Sequence, residues 1–280
     1  MPSKPPAAAM PFLALLALGA CSDKGQPVVA TATSAAASAS AAIDSATGPE
    51  APSAPAAARD VKEENKLYQF EYAYPAQAAA IAPLRAMLEA DLARNRDELA
   101  TEAREGAALA RESSFPFNPY SRSVNWQVVT DLPGWLSLSA LVGFYTGGAH
   151  PNYVFDTLLW DRAAAKRRAP VDLFTSAAAL AAAIRAPFCR ELDRQRAKKR
   201  GSDQAGSGIS EFDACIDPAA QTVILGSSNG RTFDRIGVLI APYAAGPYAE
   251  GDYEVTVPVT AKVLAAVRPE YRAAFAAALP

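Results

Sequence analysis

Between Phe12 and Tyr68 the chain carries no aromatic residue, and from about position 22 to 60 it is mostly Ala, Ser, Thr and Pro. A stretch of that composition cannot bury enough apolar surface to offset the entropy of ordering it. Any core must therefore be built from residues after about 65. We read residues 21–64 as a disordered Ala/Ser/Pro-rich tether. Some 40 flexible residues at roughly 5–6 Å × √n give it a root-mean-square reach of about 35 Å. The chain beyond the tether is long enough for one large or two small domains.

Ahead of the tether, Lys4 precedes the nine-residue apolar run Phe12–Ala20. A bilayer-spanning helix needs about 20 apolar residues, so this run reads as the apolar segment of a signal peptide over residues 1–20. Its end, Leu18-Gly19-Ala20-Cys21, resembles the lipobox of bacterial lipoproteins. That resemblance implies acylation (palmitate) at Cys21 and a lipoprotein held at a membrane of the cell envelope, facing the periplasm or the exterior. Ordinary secretion, with Cys21 left as a spare thiol, is the other reading.

Composition removes several function classes. Hydrophobic residues make up 50% and charged residues 20%, so the chain as a whole can form a core. Lys+Arg 27 against Asp+Glu 29 gives a net charge of -2, too balanced for a nucleic-acid partner held by the protein's overall field. One histidine and three cysteines are too few for a His-rich or four-cysteine zinc site or an iron–sulfur cluster, so no metal or cofactor is expected.

In the folded part, Tyr68, Phe70, Tyr72 and Tyr74 alternate with Gln69, Glu71 and Ala73, the period of a half-buried strand. Pro75 stops it. Ile81, Leu84, Leu88, Leu92 and Leu99 then mark a helix of about 30 residues, with Pro83 in an early turn. Strands are expected over Val124–Thr130, Leu136–Tyr145 and Tyr153–Trp160, and later around Thr222–Leu225, Arg231–Ile240 and Tyr253–Val257. Between these groups lies an Ala-rich helix carrying Leu180, Ile184, Phe188 and Leu192. Thr175 is its expected N-cap, and Pro187 is expected to kink or split it. Gly201–Gly208 reads as a mobile loop, and Ala261–Leu279 as a short helix interrupted at Pro269. Runs of strands separated by two long helices predict an α+β fold with mainly antiparallel sheet. Cys189 and Cys215 either pair, closing a loop of about 26 residues worth roughly 3.5 kcal/mol, or remain two unrelated thiols.

The order of these motifs is similar to that of the PdaC/RsiV-like extracytoplasmic domain pair. The resemblance rests on Tyr74-Pro75 closing a Tyr-rich strand, the long helix, and the segment Tyr145-Thr146-Gly147-Gly148-Ala149-His150-Pro151. Asp172-Leu173-Phe174, Ala241–Pro247 and Tyr253–Pro258 extend it through about residue 260. It implies a PdaC-like subdomain over 65–145 and an RsiV C-terminal-like subdomain over 146–280. In that family the pair precedes a peptidoglycan deacetylase domain or forms the lysozyme-recognising outer part of an anti-sigma factor. The deacetylase chemistry uses an Asp and two His around a metal, and this chain has one His. The implied activity is therefore recognition of a cell-wall or lysozyme-type ligand.

His150, in a tight turn, is either a donor to a ligand or the cap of a strand end. No Gly-x-Ser-x-Gly elbow accompanies it, and no catalytic residue is assigned. Tyr145, Tyr243, Tyr248 and Tyr253 complete the candidate ligand contacts, with core packing as the alternative for each. The basic run Arg190–Arg200 reads as a solvated helix end or a contact to an anionic polymer, and Trp126, Trp135 and Trp160 as core anchors. A small esterase using a serine with His150, and a purely structural envelope component, are the rival functions.

Overall fold

The computed structural model describes residues 56–201 and 206–278. The signal peptide, Cys21 and most of the expected tether lie outside them, as does the centre of the Gly201–Gly208 loop. Six strands form one sheet in the order β1 (Arg59–Glu64), β2 (Tyr68–Tyr74), β3 (Tyr120–Leu132), β4 (Trp135–Tyr145), β5 (Asn152–Asp161) and β6 (Lys166–Arg168). A single helical turn, α1 (Ala76–Ala79), leads into the long α2 (Ala82–Glu112), with Pro83 in its first turn as expected. Helix α2 is the crossover that a parallel neighbour requires, and β2 and β3 do run parallel. The other pairings in this sheet are antiparallel, so the fold is α+β with mainly antiparallel sheet.

The alternation in β2 places Phe70, Tyr72 and Tyr74 on the face covered by α2. They meet Leu84, Leu88, Leu92 and Leu99 from the helix and Val124, Trp126, Leu138, Leu158 and Trp160 from the sheet. Each of these large side chains contributes about 1.5–3 kcal/mol by leaving water. Polar atoms in this layer are paired. Trp126 Nε1–H donates to Tyr72 Oη at 3.2 Å, and the Tyr72 hydroxyl donates to Asp91 at 2.8 Å. In mid-helix, Gly106 leaves room for the Tyr120 ring, whose hydroxyl would lie 2.2 Å from any added Cβ.

The second half supplies α3 (Ala177–Arg200), a single turn α4 (Ser210–Asp213), and the antiparallel sheet β7 (Thr222–Gly226), β8 (Arg235–Ile240), β9 (Tyr253–Pro258). Helix α5 (Ala261–Ala266) and a 3-10 turn over Pro269–Ala274 end the described fold. Leu180, Ile184, Phe188 and Leu192 of α3 pack on Ile236, Val238, Tyr253, Val255 and Val257 in a second core. Leu132 and Leu159, from the far face of the large sheet, join that core. Cys189 and Cys215 form a disulfide, their Cα atoms 5.5 Å apart.

Four expectations need correction. The tether does not extend to residue 64, because Arg59–Glu64 is an edge strand that pairs along its whole length with β2. A boundary at 145/146 would cut a continuous sheet, since β5 pairs with β4 from Trp135↔Asp161 to Phe144↔Asn152 and completes the first core. Helix α3 is not split at Pro187. Its apolar seam and the Cys189 crosslink hold both halves against the second core, outweighing the one hydrogen bond that proline removes. The N-cap is Ser176, whose Oγ accepts the Ala179 N–H at 3.0 Å, while the Thr175 N–H is bonded to Ala266 O.

Buried tyrosines make stability sensitive to alkali. Burial and a hydrogen bond to Glu89 push Tyr74 up to about 12, and burial with Asp252 does the same to Tyr153, also to about 12. Tyr72 and Tyr253 shift in the same direction, chiefly through burial. An unfolded tyrosine ionises near pH 10, so this stabilisation is complete below pH 10 and is lost as pH rises towards about 12. Thermal midpoints measured across that interval should fall steadily. A Tyr74→Phe/Tyr153→Phe variant should lose a smaller share of its midpoint over the same range, and an equal loss would show that other groups govern the decline.

Candidate functional site

The β4–β5 connection, residues 146–151, meets the loop that joins β8 to β9. Gly147 takes a left-handed φ of +88°, which an L side chain rarely adopts, and so reverses the chain beside the Tyr120 ring. His150 is thereby held at the surface against two tyrosines 93 and 98 positions further along. Its ring stacks on Tyr248 with centroids 4.0 Å apart and planes 27° apart. Its Nδ1 lies 2.8 Å from Pro151 O, and its Nε2 lies 3.3 Å from the Tyr243 hydroxyl. The Pro151 carbonyl can only accept, so Nδ1 is the donor in the first contact, while the Tyr243 hydroxyl can either donate to Nε2 or accept from it. The Tyr248 hydroxyl donates to the same Pro151 carbonyl at 2.7 Å. Tyr243 and Tyr248 approach each other at 5.5 Å, and Tyr243 is 48% exposed. Tyr243 also holds a φ of +70°, a conformation uncommon outside glycine and maintained here by its surroundings.

Beneath this aromatic rim the loop is pinned to α3 by charge. Arg200 donates to the Glu250 carboxylate at 2.8 and 3.2 Å and to Asp213 at 2.6 Å. The Tyr253 hydroxyl also donates to Glu250. Gly246 makes room for that carboxylate, since a Cβ there would stand 2.2 Å from it. Lys199 donates to the carbonyls of Glu250 and Asp252 and lies 4.1 Å above the Tyr253 ring. Tyr153 of β5 donates to Asp252 at 2.8 Å, tying the large sheet to the same loop.

Of the five expected contacts, His150, Tyr243 and Tyr248 come together. Tyr253 does not join them: it is 1% exposed and faces the second core, its hydroxyl committed to Glu250. Tyr145 sits at the end of β4 in register with Ser121. Tyr153 and Asp252, which anchor the rim from below, carry no signal in the sequence beyond their residue types. The basic run is largely internal wiring. Arg194 pairs with Glu191, which is drawn down to about 2 by hydrogen bonds from Arg194 and Gln195. Arg196 is buried, and Lys199 and Arg200 hold the β8–β9 loop.

No curated protein matches the chain. A DUF3298 family member from Bacteroides fragilis is 17% identical, with a TM-score of 0.47 over 72% of this chain and 88% of that one. A DUF3298 family protein from Pseudomonas aeruginosa is 14% identical, with a TM-score of 0.39 over 77% of this chain and 95% of that one. Residues 61–153, which run from β1 into the start of β5, match the family model described as Deacetylase PdaC.

Proposed function

We propose that this protein is a membrane-anchored envelope lipoprotein whose α+β body binds a cell-wall or lysozyme-type protein ligand and breaks no bond. The observation that carries this reading is the engagement of His150. Both ring nitrogens have protein partners, Pro151 O and the Tyr243 hydroxyl, and one ring face is stacked on Tyr248. A general base must reach the nucleophile it deprotonates. This imidazole is instead part of a fixed, half-exposed aromatic surface, the kind of rigid amphipathic area that anchors ligands at low entropic cost. The Leu18–Cys21 motif supports the anchor.

The test uses the full chain produced in a bacterial host. Mass spectrometry should find acylation that Cys21→Ala removes. The chain should be retained on lysozyme or on insoluble peptidoglycan, and a Tyr243→Ala/Tyr248→Ala variant should bind at least about tenfold more weakly, as loss of a central aromatic anchor does. Retention by neither ligand would overturn the recognition role. Hydrolysis of short acyl esters, abolished by His150→Ala at unchanged thermal midpoint, would establish the esterase reading instead.

A further inference from the structure

Away from the His150 rim, the β3–β4 turn, the loop between β7 and β8, and the C-terminal 3-10 turn line a shallow, open cleft of about 330 Å³. That is near the lower limit for small-molecule sites. We infer that this cleft binds a zwitterion of dipeptide size, its carboxylate on Arg231, its ammonium on Glu270, and its apolar part against Trp135 and Tyr271.

The walls are rigid. Trp135 packs on Phe233 at 6.1 Å and meets Tyr271 edge-on at 6.0 Å, while the Arg168 guanidinium lies 5.1 Å over the other ring of that pair, Tyr271. Gly134 leaves the entrance open, since a Cβ there would touch nothing within 4 Å. The loop that presents Arg231 is pinned from inside. Asn229 Oδ1 accepts the N–H groups of Arg231 and Thr232 at 2.8 and 2.9 Å. Asp234, 2% exposed, accepts from Ser228 N–H at 2.8 Å and from Asn229 Nδ2 at 3.2 Å. The Phe233 N–H is bonded to Ala274 O, and the Ala276 N–H returns to Phe233 O. A ligand reaching Arg231 therefore meets a backbone that is already ordered, which lowers the cost of binding.

The charges select the ligand. Arg231 and Glu270 line the same cleft, yet among the described residues neither side chain makes a hydrogen bond or ion pair with the other or with any other side chain. An anion alone would bring its charge towards Glu270, and a cation alone would bring its charge towards Arg231. A neutral sugar can hydrogen-bond to both groups through its hydroxyls, but it brings no countercharge to either. Only a ligand carrying both signs matches the pair while its apolar body covers the Trp135–Tyr271 corner.

Calorimetry on the full chain with three probes tests this: alanyl-leucine, the same dipeptide acetylated and amidated at its ends, and the disaccharide of N-acetylglucosamine. The free dipeptide should bind and change the fluorescence of Trp135, the partly exposed tryptophan, whereas Trp126 and Trp160 are buried. Arg231→Ala and Glu270→Ala should each weaken binding about tenfold through loss of one charge-assisted contact. Both residues are exposed, so neither change should move the thermal midpoint. Equal affinity for the capped dipeptide or the disaccharide would overturn the inference, as would absence of heat with the free dipeptide at millimolar concentration. Lysozyme and peptidoglycan retention through the Tyr243–Tyr248 rim is a separate measurement, so the two proposals stand or fall separately.

Discussion

Arg196→Ala is expected to cost about 3–5 kcal/mol, because it leaves three backbone carbonyls without their charged donor at roughly 1–3 kcal/mol each where they are buried. Arg196 is 3% exposed although it lies in a run of charged residues near the end of α3. Its Nε–H donates to Ala245 O at 3.0 Å, and its terminal nitrogens donate to Asp213 O at 3.2 Å and Ala214 O at 3.0 Å. Asp193 balances the charge at 3.1 Å from the exposed side. One planar guanidinium thus fastens three carbonyls from two separate loops onto a helix. Truncation leaves those acceptors without a donor and opens space beside the second core. At about 2–4 °C per kcal/mol for a body of this size, the thermal midpoint should drop by roughly 10 °C. Arg196→Lys should recover only part of this, because one ammonium cannot span three divergent carbonyls. Ala245 sits between Tyr243 and Tyr248, so the same variant should also weaken ligand retention at the rim. A midpoint within about 2 °C of the parent would mean that water replaces the guanidinium without loss.

The strongly periodic parts of this fold are legible from residues alone. Helix α2 announces itself by a leucine seam and an early proline, and β2 by strict alternation, because burial of one face imposes those periods directly. β1 is not legible in the same way. Its sequence, Arg-Asp-Val-Lys-Glu-Glu, has the charged character of an edge strand with only Val61 packed inward, and the same residues are equally typical of a linker. Tyr253 is a different case. Tyr253, Val255 and Val257 share one face of β9 and alternate with exposed Glu254 and Thr256, so the strand period carries the signal that favours core packing over ligand contact for this tyrosine. Arg196 could not be read from composition, since burying a cation depends on carbonyls brought in from residues 213, 214 and 245. The His150–Tyr243–Tyr248 rim likewise joins segments more than 90 positions apart, and only tertiary packing makes them neighbours.

Removing the disulfide by Cys189→Ala/Cys215→Ala is expected to cost about 3.5 kcal/mol, since the 26-residue separation fixes the loop entropy withheld from the unfolded chain. Oxidised and reduced parent protein should differ by a comparable amount, again roughly 10 °C in thermal midpoint. The crosslink also acts in the folded state. Asp213, Ala214 and Cys215 are adjacent, so the disulfide and the Arg196 guanidinium hold the same short segment against α3 from neighbouring positions. Arg185 adds a third tie through the Cys215 carbonyl at 3.1 Å. If the segment frays once the crosslink is gone, two of the Arg196 hydrogen bonds are weakened before that residue is touched. Arg196→Ala should then cost less in the disulfide-free background than in the parent, with a coupling of about 0.5 kcal/mol or more in a double-mutant cycle. Additivity within about 0.3 kcal/mol would show that the segment keeps its place without the crosslink. In that case the disulfide would act on the unfolded chain alone, and the body carrying the rim would keep its geometry in a reducing compartment.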